Sequence, residues 1–333
     1  MPDACVDLVV SSPPYNLGKE YESKRALEVY LSEQTVVIKE CYRVLKDTGS
    51  IFWQVGAFSD DGQLIPLDIK FFPIFESLGM QSRNRIIWIR QHGLHATKKF
   101  SARHETILWF TKSDAYKFSL DSIRVPQKYQ KKKFHKGDKK GEYSCNPDGK
   151  NPGDLWAFRN VKHNHEEQTI HPCQFPEDLI SRVVLCATDE GDLVYDPYMG
   201  TGTVAVVARD SKRHYLGAEL DPTYHEVATR RLTGLPNEQG SFANLKCLRD
   251  YVHRSGESIS KYRFDMQVGA KASERDKAKI FPEEHHLEEL DRRLAYEEDA
   301  FASKRRGAAA PADYFTQGKV KPKDSPTDQI TFL

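Results

Sequence analysis

The stretch from Leu193 to Thr203 constrains this chain more than any other. It reads Leu-Val-Tyr-Asp-Pro-Tyr-Met-Gly-Thr-Gly-Thr, an apolar run, a turn with two glycines, and then helix-forming residues to Asp210. Gly200 and Gly202 lack a Cβ, so the backbone can turn tightly and approach a ligand closely. The helix that follows would turn its first amides toward an anionic group. Tyr215–Glu219 reads as the next strand and Pro222–Leu232 as the next helix, which completes a βαβα unit. Glu219 ends that second strand, where a carboxylate can accept two hydrogen bonds from a ribose diol. The unit predicts a site for a nucleoside-containing cofactor. Gly200-x-Gly202-x-x-Ala205 also fits the loose dinucleotide fingerprint. Asp196-Pro197 ahead of the glycines points away from a nicotinamide dinucleotide, whose fingerprint begins directly after the strand.

Strands and helices alternate at the other end of the chain too. Val6–Ser11, Ile51–Val55, Ile86–Ile89 and Thr106–Phe110 read as buried strands. Residues 26–46 carry apolar positions at helical spacing, with Gly49 as a stop, and Pro66–Leu78 reads as a second helix. A further helix, Pro176–Ala187, precedes the strand Leu193–Asp196. The pattern predicts an α/β fold with a doubly wound, mostly parallel Rossmann-like sheet, interrupted by an irregular stretch.

Ser12-Pro13-Pro14-Tyr15 follows the first strand. Two prolines fix φ and remove two backbone donors, so the turn is rigid and presents carbonyls. A rigid acceptor pair beside an aromatic ring suits a planar group bearing an amine. The Ser12 hydroxyl and Pro13 carbonyl could each accept an amine hydrogen, with Tyr15 stacked on the ring. Taken alone, the motif is equally an ordinary Pro-Pro turn.

Together, SSPPYN at the start and DPYMGTGT with GAEL later resemble the catalytic and cofactor motifs of amino-methylating DNA methyltransferases. The order, catalytic turn first and cofactor turn second, is similar to the permuted class called β. His104-Glu105-Thr-Ile-Leu-Trp-Phe-Thr-Lys112, Gly153-Asp154-Leu155-Trp156 and His171-Pro172-x-Gln174-x-Pro176 extend the likeness to about residues 3–114 and 153–233. The resemblance implies S-adenosylmethionine as cofactor and double-stranded DNA as substrate. It implies that Ser12, Pro13, Pro14 and Tyr15 hold the target amine. Asp196, Pro197, Gly200 and Gly202 would shape the cofactor pocket, Thr201 and Thr203 would reach the cofactor's carboxylate, Glu219 would take the ribose hydroxyls, and His171 and Pro172 would flank the methionine end. Serine in the first motif position resembles the cytosine-N4 enzymes more than the adenine-N6 ones. Adenine-N6 transfer, and an inactive relative that only binds DNA, are the alternatives. Relatives carry a strand ending in Gly-Asp upstream of the catalytic strand that helps hold the adenine ring, whereas here Met1 stands just before Asp7. Residues 242–250 are a candidate stand-in. A cognate restriction endonuclease and a homodimer are partners that such a family admits.

Pro172-Cys173-Gln174 imitates the nucleophile motif of cytosine-C5 methyltransferases. The glycines follow it here rather than precede it, and an exocyclic amine needs no covalent adduct. Cys173 is therefore expected to be chemically idle.

The sequence divides into a catalytic half at 1–114, an insert at 115–168, a cofactor half at 169–236 and an accessory extension at 237–333. The whole chain of 333 residues is nearly neutral, with 49 Lys and Arg against 48 acids. That balance is a cancellation. In the insert twelve basic residues face seven acids, with Tyr129, Phe134, Tyr143 and Trp156 interleaved. Lys128, Lys131, Lys132, Lys133, Lys136, Lys139 and Lys140 are candidate DNA contacts, because lysines meet phosphates electrostatically and position a duplex. Residues 271–299 carry the opposite excess, ten acids against six bases, and 283–306 reads as one amphipathic helix ahead of a tail from Gly307 that is expected to be disordered. Six scattered cysteines show no metal or disulfide spacing, and no run is long enough for a membrane span. A reduced, cytoplasmic protein without a metal is the expectation.

Overall fold

The fold was analysed in a computed structural model. The structure describes residues 1–256, apart from 20–21, 61, 91–95, 128–131, 163–164 and 239, together with Arg263–Phe264. The predicted helix at 283–306, the tail from 307, Lys128 and Lys131 lie outside the described residues.

In chain order, β1 (Val6–Ser11) leads through α1 (Leu27–Val44) into β2 (Leu45–Val55). A small hairpin, β3 (Ala57–Asp60) and β4 (Gln63–Pro66), precedes α2 (Leu67–Ser77), β5 (Gln81–Ile89) and β6 (His104–Thr111). After the insert come β7 (Leu155–Ala157), α3 (Glu177–Ala187), β8 (Leu193–Asp196), α4 (Thr203–Asp210), β9 (His214–Gly217) and α5 (Pro222–Thr233). Then β10 (Ser241–Phe242), α6 (Leu245–Ser255) and β11 (Arg263–Phe264) follow, with β10 and β11 pairing in parallel.

Seven strands form one sheet in the order β7-β5-β6-β2-β1-β8-β9. Strands β2, β1, β8 and β9 pair in parallel, as do β5 and β7. Only β6 runs against its two neighbours, β2 and β5. The sheet is thus the mostly parallel, doubly wound α/β sheet that the sequence predicts, with one reversed strand that the apolar runs do not announce. Buried strands show no alternation, so their composition carries no direction.

Burial explains the layers. All six residues of β1 are buried. Leu8 and Val10 face a core shared with Leu179, Val183 and Val184 of α3 and Val204 and Val207 of α4. Val9 faces the other core, with Ile38 and Cys41 of α1 and Phe71 and Phe75 of α2. Helix α1 buries Tyr30, Gln34, Ile38, Cys41 and Val44, a stripe at steps of three and four. Gly49 is not its cap. Leu45 is already extended, and Gly49 lies inside β2, where a Cβ would stand 2.9 Å from the Asp7 carbonyl oxygen. Its role is a close backbone approach beside the irregular register between β1 and β2. Helix α5 does end as its sequence suggests. The Asp221 carboxylate accepts from the amides of Thr223 and Tyr224, Pro222 opens the first turn, and Gly234 closes the helix at φ +65°.

Candidate active site at the ends of two central strands

Chain order reverses between β1 and β8. From β1 the chain crosses to β2 on one side, and from β8 it crosses to β9 on the other. In open α/β sheets ligands bind at such a switch point, outside the carboxyl ends of the strands. The Ser12–Tyr15 turn leaves the end of β1, and the Pro197–Gly202 loop leaves the end of β8. A side-chain bond ties the two together, Ser11 Oγ donating to Asp196 Oδ1 at 2.5 Å. Asp196 also accepts from the Tyr198 amide at 3.0 Å. Burial pushes its carboxyl up to about 7, although both donors favour the charged form and Glu219 adds only repulsion.

On the β1 side, the Tyr15 hydroxyl donates to Glu105 Oε2 at 3.2 Å and lies 3.3 Å from Ser12 Oγ. With the phenol proton on Glu105, the Ser12 hydroxyl is the donor to Tyr15. That leaves the Ser12 lone pairs for a ligand. Burial raises the Tyr15 phenol well above its ordinary range, with repulsion from Glu105 adding to it, so it stays protonated. Glu105, at the start of β6, is itself held by Gln54 Nε2 from β2 and by Arg90 just after β5, at 2.8 Å. Gly56 makes room for the ring, since a Cβ there would come within 2.9 Å of Tyr15 Cε2. Pro14 does not present an open carbonyl, because the Tyr30 hydroxyl donates to it at 2.6 Å. Pro13 is buried beneath the turn.

On the β8 side, the two glycines do different work. At Gly200, φ +52°, a Cβ would lie 3.8 Å from the His171 ring. Gly202, at φ +79°, lets α5 come close, as a Cβ would stand 2.9 Å from Ala228 Cβ. Their amides do not point to an open anion site. Gly200 N–H donates to Glu219 Oε2 at 2.7 Å and Gly202 N–H donates to the Met199 carbonyl at 2.9 Å. Glu219 Oε1 accepts from the Asp221 amide at 2.8 Å. The carboxylate is thus fixed from two sides at the strand end, with lone pairs remaining for a diol. His171 packs its ring on Tyr224, with centroids 4.6 Å apart, and Pro172 is half-buried beside it. Burial, then the charge of Lys19, lowers the imidazole to about 4, so His171 is neutral.

The loop threonines are a correction. Thr201 and Thr203 are both buried, and their hydroxyls turn inward. Thr201 Oγ1 accepts from Thr169 Oγ1 at 3.2 Å, and Thr203 Oγ1 accepts from Arg231 Nη1 at 3.0 Å. Arg231 also donates to the Thr201 carbonyl at 2.7 Å and to Glu177 Oε1 at 2.8 Å. A buried cation therefore holds the loop from behind. Residues 242–250 are a second correction. Their contacts run from Asn244 and Lys246 to Glu166, Glu167 and Glu177, rather than to Glu219. Cys173 is exposed, with Lys19 Nζ 2.7 Å from its sulfur.

In the insert, Lys132, Lys133, Lys136, Lys139 and Lys140 are all exposed. Among the described residues no group of three or more His, Cys, Asp or Glu is placed to hold a metal. No described helix is long and apolar enough to cross a membrane.

Sequence reading missed Glu105, Gln54, Arg90, Gly56 and Arg231 as members of the site. Glu105 lies inside a motif that is already noted, as the one acid of its strand. The others converge only through the sheet, from positions with no local signature.

Known proteins match this arrangement. The profile of the N6/N4 methyltransferases, described as DNA methylases, matches residues 6–230. A type II methyltransferase from Bacillus subtilis, M.BglII, is 58% identical over 300 residues, covering 89% of this chain and 83% of that protein. The DNA adenine methyltransferase YhdJ of Escherichia coli is 31% identical, covering 70% of this chain and 78% of that one. Among solved structures, the cytosine-N4-specific PvuII DNA methyltransferase superposes with a TM-score of 0.55 at 19% identity, covering 80% of this chain and 90% of its own, a likeness of fold. The extent of the profile match and the identity to these relatives show that this chain belongs to the N6/N4 family of DNA methylases.

Proposed function

We propose that this chain transfers a methyl group from S-adenosylmethionine to the exocyclic N4 amine of cytosine in double-stranded DNA. The observation that carries the reading is the Ser11–Asp196 bond, which sets the Ser12–Tyr15 turn beside the Gly200 loop. The bound cofactor supplies a methyl group on a positively charged sulfur. Glu219 suits its ribose diol, and the neutral His171 ring beside Gly200 suits a cationic neighbour, because it adds no charge.

The target base must leave the duplex stack to reach this turn. Ser12 Oγ and the Pro13 carbonyl then accept the two amine hydrogens, and the Tyr15 ring stacks on the base. Acceptors on both hydrogens leave the nitrogen lone pair aimed at the methyl group, so the rate comes from positioning. The proton released afterwards leaves through Ser12 or water. A hydroxyl at position 12 rather than a carboxylate favours cytosine N4 over adenine N6. The insert at 115–168 docks the duplex. A restriction endonuclease with the same recognition sequence is the partner expected in the cell, and a homodimer is the assembly that light scattering would test.

Labelled-methyl transfer to mixed-sequence DNA, followed by nucleoside mass analysis, tests the reading. N4-methylcytosine is the expected product. N6-methyladenine alone would overturn the choice of base, and no transfer would overturn the enzyme.

A further inference from the structure

The insert holds a cleft that the reaction itself does not use. Val125 and Lys150 form an antiparallel bridge at its base, with both backbone bonds made, at 3.0 and 2.8 Å. Gly149 makes that base. It sits at φ +113°, and a Cβ would fall 2.4 Å from the Val125 carbonyl oxygen. Farther out, Lys133 bridges Tyr143, and the amides of Phe134 and Ser144 donate to Glu142 and Lys132. The segment is thus a two-tiered hairpin with a turn at 137–140. Between the tiers lies a cleft of about 440 Å³, lined by Gln127, Lys132, Lys133, His135, Ser144 and Lys150, among others.

The lining has one sign of charge. Among the described residues three lysines and a histidine line the cleft, and no carboxylate does. Among the described residues Lys132, Lys133 and Lys150 form no ion pair, although Asp138, Glu142 and Asp148 belong to the same hairpin. Lys133 Nζ rests 5.3 Å from the centre of the Tyr143 ring, which limits the swing of its side chain. Like charges that line one cleft repel one another, so the arrangement favours an anion between them. The turn lysines Lys136, Lys139 and Lys140 line no part of the cleft.

We infer that the cleft seats backbone phosphate of the DNA, with Lys132, Lys133 and Lys150 as its ligands, while the turn lysines only add diffuse charge. The inference rests on the proposed function and deepens it. It adds Lys150, which is remote in sequence from the lysine run, and it ranks the lysines of that run.

The test uses the full chain, a fluorescent duplex and a range of salt concentrations. Each phosphate neutralised contributes about 0.9 to the slope of log affinity against log salt. A protein carrying both Lys132→Ala and Lys150→Ala should lose about one from that slope, and should weaken uniformly across duplex sequences. A protein with Lys136, Lys139 and Lys140 all changed to Ala should keep most of the slope. Gly149→Ala, which breaks the base of the hairpin, should reproduce the loss without removing a charge. An unchanged slope in the double variant, or a loss confined to the triple variant, overturns the cleft. A parent that methylates DNA while the double variant keeps its slope defeats only the cleft, whereas a parent that transfers no methyl group defeats the function.

Discussion

The two loops that the proposed function assigns to the substrate are held by opposite means. The Tyr15 phenol meets Glu105, and Glu105 meets Gln54 and Arg90, so four parts of the chain fix one hydroxyl. The hairpin at 132–150 is held by its own backbone bridges and one strained glycine, with its side chains in solvent. The first arrangement gives geometry within a hydrogen bond's tolerance. The second gives a charged surface that tolerates a shift of an ångström. Chemistry needs the former, and electrostatic docking is served by the latter.

The largest effect that separates the two regions lies behind the cofactor loop. Arg231→Met leaves Thr201, Thr203 and the buried Glu177 without their shared partner, and should lower the unfolding free energy by about 3–5 kcal/mol in a denaturant titration. Tyr15→Ala comes next. It should reduce methyl transfer by about 100-fold while cofactor binding, read by calorimetry, stays near the parent value. Tyr15→Phe keeps the ring and loses the bonds to Ser12 and Glu105, and should cost only about 1 kcal/mol of barrier.

A pH series sharpens the contrast, because the hairpin has no comparable buried acid to titrate. Asp196 has its carboxyl raised to about 7, so its contribution to stability is complete below its unfolded value near 3.8 and is lost as pH rises through 7. His171 has the opposite sign. Its contribution is complete above 6.5 and is lost as pH falls through about 4. Asp196→Asn should therefore raise the melting temperature, relative to the parent, more at pH 8 than at pH 4. Smallest of all, Lys136→Ala, Lys139→Ala and Lys140→Ala should each change stability by no more than about 0.5 kcal/mol.

The sequence discloses most of this fold because its elements are locally consistent. The stripe of α1, the Asp221-Pro222 start of α5 and the apolar runs of β1 and β8 each announce themselves within a few residues. Strand direction is different. Nothing in Thr106–Phe110 says that β6 is reversed, since a strand buried on both faces has no polar side to orient it. The same limit applies to the site. Ser12, Tyr15, Gly200 and Glu219 are legible because rigid turns and glycines leave a local mark. Arg231 and Gln54 are ordinary residues on ordinary elements, and only the folded sheet brings them to Thr203 and Glu105. Gly49 misled for a similar reason. A glycine that admits a neighbouring backbone looks in sequence like a glycine that ends a helix.

The position of β1 carries a consequence for synthesis. This strand is made before the other six strands of its sheet, yet it belongs inside the sheet, between β2 and β8. Its partner β2 is complete by Val55, but β8 arrives only after the whole hairpin has been made. At about 5–20 residues per second, the open edge of β1 waits for roughly 10–35 seconds beside the nascent chain. That edge is mostly apolar, with only Asp7 and Ser11 polar, and ready to pair with any passing strand. The bond between Ser11 and Asp196 therefore also marks the moment when the growing protein ceases to be adhesive.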